Sequence, residues 1–131
     1  MSYLGHKILY GQINERDGWQ AERVFTPCAE AGAILREHAA PLCSLESDTP
    51  PGEFDVVGFS LTHELCYTNI LYMLDLAGIP FPSAGRLNTP HPLIVAGGGC
   101  TLAAEPVAPF FDVMFLGDGE EVLMEFLKLA E

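Results

Sequence analysis

The sequence predicts an α/β fold in which helices cover both faces of a parallel β-sheet. Two short apolar runs, residues 93–96 and residues 113–116, are bounded by turn residues, as is typical of strands buried on both faces. Glycines follow each run, and strand-like runs alternate along the chain with stretches of helical periodicity. Such alternation indicates a parallel sheet with right-handed crossovers.

The first half of the chain is predicted to supply two helices and two strands. An apolar stripe over residues 4–13 indicates an amphipathic opening helix. Residues 22–26 are predicted to form a short strand, and the Thr-Pro pair at its end is suited to begin a helix that runs to about residue 37. Residues 41–45 are a candidate edge strand. Residues 47–53 have the composition of a surface loop.

The second half begins with residues 54–61, the most strongly patterned strand of the sequence. Thr62 is placed to cap the helix that we predict over residues 63–77. Residues 79–90 hold three prolines and lack periodicity, so we expect a loop there. A short helix separates the two apolar runs described above. After the second run, an acidic pair at capping-box spacing, Asp118 and Glu121, begins a closing helix.

Length and charge limit the classes of function. At 131 residues, of which 49% are hydrophobic, the chain is long enough for one domain, residues 1–131, and too short for two. Eighteen acidic and six basic residues give a net charge of -12, which would repel a phosphate backbone, so nucleic-acid binding is disfavoured. No apolar run approaches the ~20 residues of a membrane span, and the first residues form no secretory signal. We therefore expect a cytoplasmic protein that has no membrane partner.

The four cysteines indicate neither a disulfide framework nor a zinc site. They are widely spaced and form no C-x-x-C pair, so buried, reduced thiols are the simplest interpretation. His63 and Cys66 are three residues apart, and Cys100 follows the next predicted strand, so these side chains could approach one another. A single His-x-x-Cys pair is weak evidence for a metal, and we predict no metal site.

The predicted fold places a binding edge at the carboxyl ends of the strands. In open parallel sheets the strand-to-helix loops converge there, and helix amino termini point free N–H groups into the crevice. The residues at this edge are the candidate cofactor-binding residues: Ser60, Leu61, Thr62, Gly97, Gly98, Gly99 and Gly117. No Ser-His-Asp order or paired carboxylates stand out, so we predict no catalytic residue.

Three blocks of sequence carry a resemblance to a known family. These blocks are LGHKILY near the start, FDVVGFSLTHELCYTNILYMLDLAGIP in the middle and PLIVAGGGCTLAAEPVAPFFDVMFLGDGEEVL at the end. Together they resemble the amino-terminal, cobalamin-binding-like domain of a family of radical S-adenosylmethionine (SAM) proteins. The resemblance covers nearly the whole chain, and the final GDGEE is similar to the family's G-E-G-E-type junction. It implies a three-layer Rossmann-like fold of the flavodoxin and cobalamin-binding type.

The resemblance also implies that the chain is a fragment of a larger radical SAM protein. In the family, the junction leads into a barrel that uses S-adenosylmethionine, and a C-x-x-x-C-x-x-C motif in this barrel holds an iron–sulfur cluster. No such motif occurs in this sequence. The family begins with a strand before the opening helix, and this first strand is expected to be missing. The strands predicted over residues 22–26 and 54–61 would then either pair directly or be completed by another chain. We favour completion by a second copy, which would give a homo-oligomer.

The resemblance assigns roles to the predicted edge. Ser60 to Thr62 correspond to the place where a hydroxyl lies beside the nucleotide tail of cobalamin, and the Gly97–Gly99 run corresponds to the place where the tail passes close to backbone. Cobalamin domains of the mutase type also carry D-x-H-x-x-G, whose histidine binds cobalt. His6 has leucines at both of the other motif positions, so this role is unsupported. A purely structural interpretation, in which the glycines form a tight turn and Ser60 acts as a local cap, is as open as the ligand-binding one.

Three functions remain open from the sequence. The first is a cobalamin-binding-like accessory domain that has no catalysis of its own and serves a radical SAM barrel. The second is a structural or interaction domain that has lost the ligand. The third is a nucleotide-binding Rossmann-like domain, because Gly97-x-Gly99 is followed nineteen residues later by Asp118; Leu102 stands where the third glycine of that fingerprint belongs.

Overall fold

A parallel three-stranded sheet forms the centre of the molecule. The computed structural model describes residues 4–131. The strands are β1, Val56–Ser60, β2, Leu93–Gly97, and β3, Val113–Met114, and they lie in the order β1-β2-β3. This arrangement, with helices on both faces, confirms the predicted α/β fold class.

Five helices surround the sheet in the described part of the chain. They are α1, Leu4–Asn14, α2, Ala29–Glu37, α3, Cys66–Leu76, the single turn α4, Ser83–Arg86, and α5, Gly119–Ala130. Short 3-10 turns occupy Pro51–Glu53, Gly99–Ala103 and Ala108–Phe110. The charged residues of α5 interact favourably with its helix dipole, because Glu120 and Glu121 lie in the first turn and Lys128 lies in the last.

The register of the strands sets the two faces of the sheet. Val57 of β1 lies beside Ile94 of β2, and Phe59 lies beside Ala96, so these four side chains share one face. They pack with α3 and with the turns between β2 and β3. The buried core on this face consists of Leu61, Ile70, Leu74, Ile79, Ile94, Ala96, Ala104, Val107 and Phe111.

The opposite face is covered by α5. The ring of Phe115, which follows β3, meets the ring of Phe126 on α5 edge to face, with centroids 5.3 Å apart. Helix α1 contacts α5, whereas α2 contacts α3. The molecule therefore has three layers, with α1 and α5 on one face of the sheet and α2 and α3 on the other.

The strands predicted over residues 22–26 and 41–45 are not formed, and these predictions are wrong. Their backbone groups bond to each other and to a side chain instead: Leu45 N–H donates to the carbonyl of Arg23, and Arg23 N–H donates to the carboxylate of Glu46. Residues 22–26 therefore do not pair with β1, so the direct closure of the sheet that the sequence left open does not occur.

Several boundaries also differ from prediction. Helix α3 begins at Cys66 rather than at residue 63, and no side chain caps it, because the hydroxyl of Thr62 lies against the sulfur of Cys66. β3 ends at Met114, two residues earlier than expected. Asp118 is the N-cap residue of α5 but makes no side-chain capping bond, so the predicted capping box is absent.

The segment predicted as a loop is organised by a buried arginine. The guanidinium of Arg86 donates to the carbonyl oxygens of Pro80, Phe81 and Phe110, at 2.6 to 2.7 Å. It also lies 3.2 Å from the carboxylate of Asp112, which accepts the backbone N–H of Ile94 at 2.7 Å. Arg86 thus joins the segment before β2 to the segment before β3.

Candidate functional site

The candidate site is the carboxyl edge of the sheet, where the segments after β1 and β2 meet. Ser60 lies beside Gly97 in the strand register. Beyond this pair, Leu61 N–H donates to the carbonyl of Gly97 at 2.7 Å, and Cys100 N–H donates to the carbonyl of Leu61 at 3.0 Å. The structure therefore brings Ser60 and Leu61 together with the glycine run, as the sequence predicted.

Gly98 is required by the protein's own backbone. Its φ is +119°, a conformation that L side chains rarely adopt. A Cβ at this position would lie 2.7 Å from the carbonyl oxygen of Leu61 and 3.1 Å from its nitrogen. The turn reading, which the sequence left open for the glycines, therefore accounts for Gly98.

Gly99 and Gly117 differ from Gly98, because a Cβ at either position would meet no atom within 4 Å. Gly99 is exposed and needs no positive φ, so its lack of a side chain leaves open space above the end of β2. Gly117, with φ +94°, lies three residues after the end of β3. These two positions give a ligand room to approach backbone at this edge.

Two hydroxyls lie at the same edge in different environments. Ser60 is half-buried, and its hydroxyl bonds to no other group in residues 4–131, so the local cap suggested by the sequence is not made. Thr62 is exposed, and its Oγ1 lies 3.4 Å from Sγ of Cys66. Ser60 thus presents the hydroxyl that is free to bind a ligand.

The thiol of Cys66 is held by its neighbours. Its sulfur lies 3.7 Å from Nδ1 of His63 as well as 3.4 Å from the Thr62 hydroxyl. Partial burial raises the pKa of the Cys66 thiol, but hydrogen bonds from the Thr62 side chain and from the backbone of His63 and Thr62 favour the thiolate. The net effect is a pKa below the ordinary value of 9.0.

These side chains do not form a metal centre. Over residues 4–131, no three His, Cys, Asp or Glu side chains lie close enough together to bind one ion. Cys100 is tied to the same edge through its backbone bond to Leu61, but its side chain completes no ligand set with His63 and Cys66. The carboxylates of Glu120 and Glu121 are explained by their place in the first turn of α5.

An open cavity of about 400 Å³ lies at the opposite, amino edge of the sheet. Its lining includes Glu53, Asp55, His91 and the last turn of α5 at Ala130. Two carboxylates and the negative end of a helix dipole make this cavity unfavourable for an anionic nucleotide tail. The carboxyl edge, with its open glycines and free hydroxyl, is therefore the better candidate.

The described helices include none that is both long and apolar enough to cross a membrane. A family model described as radical SAM proteins, N-terminal, matches residues 5–131 of the chain. Comparison with curated proteins gives no match. Comparison with solved structures also gives none.

Proposed function

The chain belongs to the family of N-terminal domains of radical SAM proteins, and we propose that it is an accessory domain that binds cobalamin for a radical SAM catalytic domain. The observation that carries this proposal is that the carboxyl edge of the sheet holds both the unbonded hydroxyl of Ser60, which lies beside Gly97 in the strand register, and open backbone at Gly99. In parallel α/β folds this edge is the usual place for a ligand. The domain contributes no catalytic residue of its own.

The residues at this edge suit the nucleotide tail of a corrinoid. Ser60 and Thr62 would donate hydroxyl hydrogen bonds to the tail, and Leu61 and Gly98 would form the floor through their packed backbones. Gly97, Gly99 and Gly117 would let the tail approach the main chain. When bound, cobalamin supplies a cobalt centre that can carry an alkyl group, while the residues named here would bind and orient it.

No residue of this chain is proposed as a cobalt ligand. His6 lies on α1, and the leucines at positions 4 and 9 replace the Asp and Gly of the D-x-H-x-x-G motif. We therefore expect His6→Gln to leave corrinoid retention unchanged. The match to the family supports a second partner, a radical SAM catalytic domain, whose iron–sulfur cluster and S-adenosylmethionine lie outside this sequence.

Retention of hydroxocobalamin tests the proposal. The purified domain is mixed with hydroxocobalamin and desalted, and the visible spectrum of the protein fraction is recorded. The test variant is Gly99→Leu, which fills open space at the carboxyl edge, and the matched control is Gly52→Leu, which fills open space beside the amino-edge cavity. We expect wild type and Gly52→Leu to retain the corrinoid and Gly99→Leu to lose it. If Gly99→Leu retains the corrinoid and Gly52→Leu loses it, the ligand binds at the amino edge and the proposed site is wrong.

A structural domain that has lost its ligand is the second candidate, favoured by the packing of Gly98 on Leu61, which explains that glycine without any cofactor. If wild type retains no corrinoid but still binds the separately purified catalytic domain of a family member, this candidate replaces the first. The dinucleotide alternative is weakened because Leu102, at the third-glycine position, is 83% exposed within a 3-10 turn rather than at the start of an α-helix.

A further inference from the structure

A strongly exposed leucine follows each of the three strands of the sheet. Leu65 follows β1 and directly precedes α3, Leu102 lies in the 3-10 turn after β2, and Leu116 follows β3 directly before Gly117. Their exposed fractions are 81%, 83% and 62%. Because the carboxyl ends of parallel strands meet at one edge, all three leucines lie in segments of the carboxyl edge.

The protein's own hydrogen bonds hold these segments close to one another. The hydroxyl of Tyr67, in the first turn of α3, donates at 3.4 Å to the carbonyl of Ala103, the last residue of the turn after β2. The N–H of Phe115, beyond the end of β3, donates at 2.8 Å to the carbonyl of Ala96 in β2. The three leucine-bearing segments are therefore gathered around the end of the central strand.

The location of these leucines distinguishes them from ordinary surface residues. Single exposed apolar side chains are common on protein surfaces and need no explanation. In residues 4–131, however, every strand of the sheet is followed by one such leucine, and the same edge holds the unbonded hydroxyl of Ser60 and the open backbone at Gly99. Apolar side chains around a few polar groups are the usual composition of a ligand site.

We infer that Leu65, Leu102 and Leu116, here called the leucine rim, bind the macrocycle of the corrinoid and thereby select a corrinoid over a dinucleotide. The inference rests on the proposed function and concerns the part of the ligand that the tail-binding residues do not contact. A corrin ring carries many methyl groups and has largely apolar faces, so covering it with leucine side chains removes apolar surface of both partners from water. A dinucleotide has no apolar surface of this size.

Two corrinoids separate the rim from the tail-binding residues. Hydroxocobalamin has the macrocycle and the nucleotide tail, whereas hydroxocobinamide has the same macrocycle and lacks the tail. The affinity of the whole chain for each is measured by equilibrium dialysis, in which visible absorbance gives the bound and free corrinoid. The test variants are Leu65→Ser, Leu102→Ser and Leu116→Ser, each made singly.

Two exposed leucines outside the carboxyl edge supply matched controls. Leu87, which is 66% exposed, lies before β2, and Leu129, which is 87% exposed, lies in the last turn of α5. Replacing a largely exposed leucine by serine leaves no buried cavity, so all five variants should fold as wild type does. Far-UV circular dichroism checks this.

We expect each rim variant to bind both corrinoids at least about fivefold more weakly than wild type, a difference of about 1 kcal/mol. Leu87→Ser and Leu129→Ser should bind both as wild type does. Leu102→Met should keep the affinity, because methionine supplies a similar apolar surface. Gly99→Leu, which obstructs the tail, should weaken hydroxocobalamin more than hydroxocobinamide.

The possible failures are distinguishable. If wild type binds hydroxocobalamin and the rim variants bind both corrinoids equally well, the inference is overturned and the proposed function stands. A loss for hydroxocobalamin alone would assign the leucines to the tail and would also overturn it, as would an equal loss in Leu129→Ser. If wild type binds neither corrinoid, the proposed function fails and the inference fails with it.

Discussion

Gly98→Ala should destabilise the fold strongly, because both the conformation and the space at this position exclude a side chain. The new Cβ would lie 2.7 Å from the carbonyl oxygen of Leu61, and φ there is +119°. Leu61 cannot move away freely, since its N–H and C=O are bonded to Gly97 and Cys100 on either side. Relief of the clash therefore requires the loss of hydrogen bonds or a shift of the glycine turn.

The magnitude follows from these two effects. A non-glycine residue held in a sparsely populated backbone region costs about 1–3 kcal/mol. Weakening one or two hydrogen bonds of Leu61 adds about 0.5–1.5 kcal/mol each. The free energy of unfolding should thus fall by about 2–5 kcal/mol, a large part of the ~5–15 kcal/mol of a typical domain.

Urea unfolding followed by far-UV circular dichroism measures this difference. The matched control is Gly99→Ala, where a Cβ meets no atom within 4 Å and φ is not in the positive region, so we expect a change within about 0.5 kcal/mol. Equal midpoints for Gly98→Ala and wild type would refute the reasoning. A bulky residue at Gly98 is consequently a poor probe of ligand binding, because it would disturb the edge even without a ligand.

Three further predictions concern other residues. Iodoacetamide should alkylate Cys66 faster than Cys43 at pH 8, because hydrogen bonds lower the pKa of Cys66 while burial raises the pKa of Cys43. Peptide mass spectrometry measures alkylation at each cysteine against pH, and we expect the lower pH midpoint for Cys66. A lower midpoint for Cys43 would contradict this prediction. Arg86→Ala should lower the free energy of unfolding by about 3–5 kcal/mol, because it removes the cation that pairs with Asp112 and the donors to three carbonyls. Arg86→Lys should restore only part of this stability, and a loss below about 1 kcal/mol in urea unfolding of Arg86→Ala would exclude the role. After cluster reconstitution and addition of S-adenosylmethionine, the chain alone should form no 5'-deoxyadenosine, because its sequence holds no three-cysteine motif. Chromatography of the reaction mixture checks this, and detection of 5'-deoxyadenosine would refute the prediction.

The fold class could be predicted because it depends on local pattern. The alternation of apolar runs and helical stripes, with glycines after the runs, identifies β1, β2, β3 and the helices that cross between them. A strand, however, exists only where a partner accepts its hydrogen bonds. Val24 and Phe25 have strand propensity, yet their neighbour Arg23 bonds to Leu45 and Glu46, and Phe25 remains 46% exposed. Propensity alone could not reveal that outcome.

The candidate edge was predictable, but the roles of its residues were not. Glycines after buried strands mark the carboxyl edge of a parallel sheet, which placed Ser60 and Gly97 together. That Gly98 packs on Leu61 while Gly99 faces open space depends on a contact between segments almost forty residues apart in sequence. Arg86 was missed for the same reason. The available signal was a single basic residue in an apolar, proline-rich segment, which is an unusual place for an exposed charge.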